Sequence, residues 1–269
     1  MARTPDGPAP DPAVQKLRLR YAKRGRLRFA SHRDFQRAFE RAVRRAGLPI
    51  AYSAGFNPHP KISYANAAPT GAASEAEYLE LSLTRRRDPD EVRAALDDAL
   101  PDGLDVVEVV EAGPGALADR LDASVWRVEL PGLAPEPVTA AVQAFLAADR
   151  TEVQRMTKNG LRTFDARAAV LSAEVRAGEG PADARALPGG STGVRVAQVD
   201  PVPCAILQVV VRHTTPAVRP DDILAALRSQ ADLAPPSPPR MTRLAQGPLD
   251  EEDGSVADPL TADRGVGGA

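Results

Sequence analysis

Only one cysteine, Cys204, occurs in 269 residues. The chain therefore cannot form an internal disulfide or a cysteine-only zinc site. It also lacks the three-cysteine cluster with which a radical S-adenosylmethionine enzyme holds its iron–sulfur centre. Cys204 lies in the apolar run PVPCAILQVVV, which predicts a buried structural thiol rather than a nucleophile. Histidine is almost as scarce: His32, His59 and His213 occur without an HExxH pattern, so neither a metal nor a cofactor is expected. No apolar run reaches eighteen residues, and MARTPDGPAPDPAVQ is too polar for a signal-peptide core. The expectation is a cytoplasmic protein that does not enter the membrane.

The charge present is unevenly spread. The chain as a whole carries 34 basic and 36 acidic residues, a formal charge of -2. Between Lys16 and Lys61, thirteen Lys or Arg residues face only Asp34 and Glu40, a surplus of eleven. A basic footprint inside a near-neutral protein points to a polyanion such as RNA. A solvated basic face is the plainer alternative.

Periodicity predicts an α+β fold of two modules. LRLRYA at 16–21 alternates Leu17, Leu19 and Tyr21 against an outward Arg18 and Arg20. KRG reads as a turn, and RLRFA at 26–30 as the returning strand of a hairpin with Leu27 and Phe29 inward. Ser31 is placed to cap a helix over 31–46, with Asp34 closing the box and Phe35, Ala38, Phe39, Ala42, Val43 and Ala46 forming the buried stripe. Gly47 ends it. Short strands at 49–53 and 61–66, a strand at 75–83, a helix at 89–100 and a strand at 104–112 follow. This is the ferredoxin-like order with an N-terminal β-hairpin elaboration.

The second half repeats the plan. Strands are predicted at 124–130, around 151–156 and 164–177, at 193–200 and from Ala205. Helices are predicted at 135–149 and after Pro220. The expected organisation is a disordered N-terminus (1–13), a basic ferredoxin-like domain (14–112), a second ferredoxin-like α+β domain (120–247) and an acidic, Gly-rich tail (248–269), disordered or loosely docked.

Opposite the helix's apolar stripe stand Arg33, Arg37, Arg41 and Arg45, four residues apart, with Arg44 alongside. Each adjacent pair costs about 0.2–0.5 kcal/mol on an exposed helix. An anion relieves that repulsion, and the guanidinium fork suits phosphate. The acidic tail or a partner's carboxylates would relieve it too. The loop SAGFNPHPKISYA sets Phe56 and Tyr64 among Ser53, Asn57, His59 and Lys61, a composition that suits base stacking. A core role for Phe56 is the plain alternative. Lys23 joins the basic set, and His32 with His59 forms a candidate acid–base pair. In the second half, Arg155, Lys158 and Arg162 flank Asn159-Gly160, a hairpin signal. Arg212 to Arg219 precede a helix whose N-terminus would attract an anion, although Asp221 and Asp222 compete for its donors.

The stretch from YAKRGRLRFASHRDFQRAFERAVRRAGLPI through AYSAGFNPHPKISYANAAPTGAASEAEYLEL resembles the hallmark of the radical-SAM-associated (radical-SAM-linked) uncharacterised domain family. VRHTTPAVRPDDILAAL and TRLAQGPL resemble its free-standing actinobacterial branch. The likeness covers roughly residues 14 to 260. It implies a separate radical SAM enzyme as partner and a setting in RNA or tRNA modification. By the resemblance, Ser31, His32, Asp34, Arg37, Glu40, Arg41, Arg44 and Arg45 fall on the motif's helix. Ser53, Gly55, Phe56, Asn57, Pro58, His59 and Pro60 fall on its loop. Arg33 departs from the family's usual Leu before the aspartate, which extends the arginine ladder in this branch.

The expectation is an RNA-binding accessory module that presents a structured RNA, such as tRNA, to a radical SAM or other modifying enzyme. Two other classes stay open. One is a metal-independent RNA-processing or tRNA-modifying enzyme using His32 and His59; the other is a protein-binding adaptor.

Overall fold

A computed structural model describes residues 10–157, 160–179 and 203–265. The fold is mixed α+β, with two sheets and four α-helices among the described residues. No helix there is long and apolar enough to cross a membrane. The chain divides into two compact units. The first takes Met1–Asp122, Arg243–Glu251 and Ser255–Ala269; the second takes Ala123–Thr242 and Glu252–Gly254.

In the first unit the chain runs β1 (Gln15–Lys23), α1 (His32–Arg45), β2 (Ile62–Ala65), β3 (Ala73–Leu83), α2 (Pro89–Ala99) and β4 (Leu104–Glu111). The strands lie in the order β4-β1-β3, with β2 also on β3, and these pairs are antiparallel. Leu17 and Leu19 of β1 and Leu79, Leu81 and Leu83 of β3 meet Phe35, Phe39 and Val43 of α1 and Val92 and Leu96 of α2 in one core. Ser31 caps α1 as expected: its Oγ accepts from the Asp34 N–H at 3.2 Å and donates to Asp34 Oδ2 at 2.6 Å. At the other end Gly47 takes φ +62°, the left-handed turn that glycine tolerates best.

Three expectations change here. Gly25–Phe29 is a 3-10 turn with no buried residue, not a returning strand, so β1 has no hairpin partner at its end. The reason is local: Gly25 sits at φ +54° and Leu27 N–H and Ala30 N–H bond back three residues, which coils the segment. Residues 49–53 make only isolated bridges, Ile50 to Leu83 and Tyr52 to Pro60. Finally, Arg18 does not face solvent. The second face of the sheet is covered by Leu117, Leu121 and Leu260, which pack on Ala76 and Tyr78. That accounts for a bulky ring, Tyr78, on this face of β3.

The 255–265 stretch of the acidic tail accordingly belongs to the first unit. A tenth strand among the described residues, β10 (Arg240–Gly247), lies beside β3 and was not expected from sequence. Beyond it Leu260 and Asp263 are buried.

The second unit contains β5 (Ala123–Pro131), α3 (Pro135–Ala147), β6 (Glu152–Thr157), β7 (Gly160–Asp165), β8 (Val170–Glu179), β9 (Pro203–Arg212) and α4 (Pro220–Ala231). β9 lies between β5 and β8, antiparallel to both, and β6 and β7 form their own two-stranded sheet. Cys204 is buried, and burial raises its thiol pKa. The strand expected at 193–200 lies outside the described residues.

Candidate nucleic-acid interface

Helix α1 is amphipathic in the strict sense. Phe35, Phe39, Ala42 and Val43 are buried, while Arg33, Arg37, Arg41, Arg44 and Arg45 are exposed. Among the described residues Arg33, Arg37, Arg41 and Arg44 make no ion pair. Arg45 is tied differently, donating to the Ala99 carbonyl at the end of α2 at 3.0 Å. Asp34 is held below the usual carboxylate range, first by the Ser31 hydroxyl and, against an opposing desolvation effect, by the Ser31 backbone contact and the charges of Arg37 and Arg33. It is committed to the cap.

Four of the other eight basic residues of the Lys16–Lys61 segment have acidic partners distant in sequence. Lys16 lies 3.8 Å from Glu80, and Arg20 lies 3.8 Å from Asp258. Arg24 bonds both Glu75 and Asp105. Arg18 is fully buried between Glu80 and Asp263. The surplus counted along the chain is thus largely neutralised on β1 and concentrated on the 3-10 turn, α1 and Lys61. Of the tail's carboxylates, Asp258 pairs with Arg20 and Arg264, and Asp263 with Arg18 and Arg120.

Lys23 corrects an expectation outright. It is 5% exposed and cannot reach an RNA phosphate. Its Nζ points at the carbonyls of Ala68 and Pro69, each at 3.4 Å. Burial lowers its pKa; Glu77 opposes that shift and Arg243 adds to it. Glu77 itself is buried, pairs with Arg243 and accepts from the Ala68 N–H at 3.0 Å. Gln246 completes the group, accepting from Arg243 at 3.2 Å and donating to the Ala76 carbonyl at 2.6 Å. This buried group anchors the 66–72 connection. Sequence gave no sign of it, because Glu77 and Arg243 are 166 residues apart.

The 53–60 loop is closed by its own ends: Ser53 N–H donates to the His59 carbonyl at 2.8 Å, and His59 N–H to Ser53 Oγ at 3.0 Å. Phe56 is 68% exposed, and Asn57, His59 and Lys61 are exposed with it, so Phe56 has no core role. Tyr64 instead turns inward, edge-on to Phe35, Phe39 and His32, with the His32 ring 5.2 Å away. Its hydroxyl is buried without a hydrogen-bond partner among the described residues, and burial, with Glu40, raises its pKa. No hydrogen bond or ring contact joins His32 to His59.

One ring of the surface went unnoticed in the sequence. Phe29, expected inward, is 59% exposed, and the Arg28 guanidinium lies 4.6 Å from its centroid. The turn expected at KRG forms, but the chain leaves Gly25 as a 3-10 coil rather than as a strand, so the alternation of 26–30 does not set which side chains face inward.

In the second unit Arg155 and Arg162 oppose each other across the β6–β7 pair. Arg155 leaves that position to bond Asp222 at 2.6 Å and to cover the Phe164 ring at 4.9 Å. Arg162 is exposed, and Lys158 lies outside the described residues. Asp222 also accepts from the Arg219 N–H at 2.8 Å, so the helix terminus considered for an external anion is filled by its own carboxylate. Among the described residues no group of three or more His, Cys, Asp or Glu is placed to hold a metal.

Over residues 16–220 the sequence matches the model of a family described as "Uncharacterized protein conserved in bacteria (DUF2344)". No curated protein matches it.

Proposed function

The chain belongs to this bacterial family, and for it we propose an RNA-binding accessory role: presenting a structured RNA, such as a tRNA, to a modifying enzyme. One observation carries the reading. Four arginines of α1 are exposed and make no ion pair among the described residues, on a helix whose opposite face is locked into the core. A protein that pairs Arg18, Arg20 and Arg24 with distant carboxylates leaves these four unmatched. A phosphate backbone matches them in sign and in the geometry of the guanidinium fork. The 53–61 loop adds Phe56, Asn57, His59 and Lys61 as exposed groups able to meet bases. A radical SAM enzyme as the partner, and the free-standing actinobacterial branch, rest on the sequence resemblance alone.

We also read the first unit as a ferredoxin-like module. Its support is the antiparallel order β4-β1-β3-β2 with α1 and α2 as the two crossovers. In the second unit the same reading rests on β9 lying between β5 and β8.

The test is fluorescence anisotropy with a labelled tRNA across a salt series. Binding should weaken linearly in log–log form, with a slope set by the number of phosphates contacted. No binding at low salt by the folded protein would remove the RNA reading and leave the adaptor class in front.

A further inference from the structure

Phe29 occupies a position that folding does not explain. The turn carrying it buries none of its residues, yet its backbone is firmly held. Arg24 N–H donates to the Gly103 carbonyl and Gly71 N–H to the Arg28 carbonyl, both at 2.8 Å. Arg24 is further fixed by Glu75 and Asp105, and Leu27 packs against the core. The result is a large apolar ring presented on a rigid turn, with one face against the Arg28 guanidinium and 59% of the residue open to solvent.

Its chain neighbours are cations. Arg26, Arg28 and Arg33 make no ion pair among the described residues, and the ring stands immediately before the helix that carries the arginine ladder. An apolar protein contact would call for further exposed apolar side chains beside the ring. The segment 24–34 offers none but Ala30 and the half-buried Leu27. Ring plus cations is the composition of a single-strand stacking platform, in which a base lies on the aromatic face and basic side chains follow the backbone.

We propose that Phe29 is a base-stacking residue for single-stranded RNA, with Arg28 holding the ring in place and Arg26 and Arg33 meeting the flanking phosphates. This rests on the RNA reading above and adds the residue that distinguishes a base from bare backbone. It predicts that the RNA recognised carries an unpaired segment where it crosses the start of α1.

The experiment compares wild type, Phe29→Leu and Phe29→Trp on two labelled probes: a single-stranded RNA 12-mer and an abasic ribose-phosphate chain of equal length. Leucine keeps the apolar volume without the π face. Phe29→Leu should weaken the base-bearing probe about 5- to 150-fold, the range for loss of one stacked base. Affinity for the abasic chain and the salt slope should not change. Phe29→Trp should restore binding, and its emission should be quenched on adding the RNA. Equal binding of the 12-mer by wild type and Phe29→Leu overturns the stacking role alone. Equal weakening of both probes overturns it too, since the ring would then act on the backbone or on the fold. If wild type binds neither probe nor a folded tRNA, the RNA reading itself falls and the ring passes to a protein partner.

Discussion

The Arg18 guanidinium donates to both carboxylate oxygens of Asp263, at 2.8 and 2.9 Å, and both side chains are fully buried although 245 residues separate them. Glu80 takes the Arg18 Nε at 2.9 Å, and Arg120 and the Gly113 N–H also bond Asp263, at 2.7 and 2.9 Å. The C-terminal segment is therefore anchored to the central strand of the first unit by a satisfied ionic group.

Asp263→Asn should destabilise the first unit by about 3–5 kcal/mol, because it leaves Arg18 buried with its charge only partly compensated. Urea unfolding checks this. The pH dependence has a defined sign. Burial pushes the Asp263 carboxyl up, but Arg18, Arg120 and the Gly113 N–H together hold it below its ordinary value. Its folded pKa is then below its unfolded one, so its stabilisation is present above about pH 4 and is lost as pH falls through the folded value. The variant should lack that portion of the acid-side decline.

Glu77→Gln and Lys23→Met should differ sharply. Glu77→Gln keeps the shape and an acceptor for Ala68 but removes the buried carboxylate that pairs with Arg243 and offsets the Lys23 charge, at a cost of about 3–5 kcal/mol. Lys23→Met leaves the Glu77–Arg243 pair intact and removes the surplus charge. It should fall within about 1 kcal/mol of wild type or exceed it. Thermal melts of the two variants would show the ranking, and a more damaging Lys23→Met would refute the surplus-cation account.

Phe39→Ala should cost about 3–5 kcal/mol, since the ring is fully buried between α1 and the sheet and alanine leaves a cavity. A loss below about 1 kcal/mol in chemical denaturation contradicts the packing described.

Arg37→Ala combined with Arg41→Ala should leave folding intact, because both side chains are exposed and make no ion pair among the described residues. The variant should bind RNA more weakly whatever its sequence. The salt slope of log K should fall by up to about 1.4, each lost phosphate contact on a single strand releasing roughly 0.7 counterion fewer. Anisotropy on wild type and variant decides; an unchanged slope moves the contact off this helix.

Local sequence was sufficient wherever one period dominated. The α1 stripe with its Ser31 cap, the proline-started helices and the apolar run around Cys204 all took the form that side-chain spacing dictates, since each element's buried face is written in consecutive residues. Charge was different. The surplus between Lys16 and Lys61 was countable in the sequence, but its partners Glu75, Glu80, Asp105, Asp258 and Asp263 reach the segment only through strand pairing and the return of the C-terminal tail. Only the tertiary structure could decide which cations remain for a ligand. Arg18 and Lys23 became buried groups, and Phe29 became a surface ring because a left-handed glycine coiled the chain where alternation alone implied a strand. Periodicity is a property of neighbours in the chain, whereas neutralisation and exposure depend on neighbours in space.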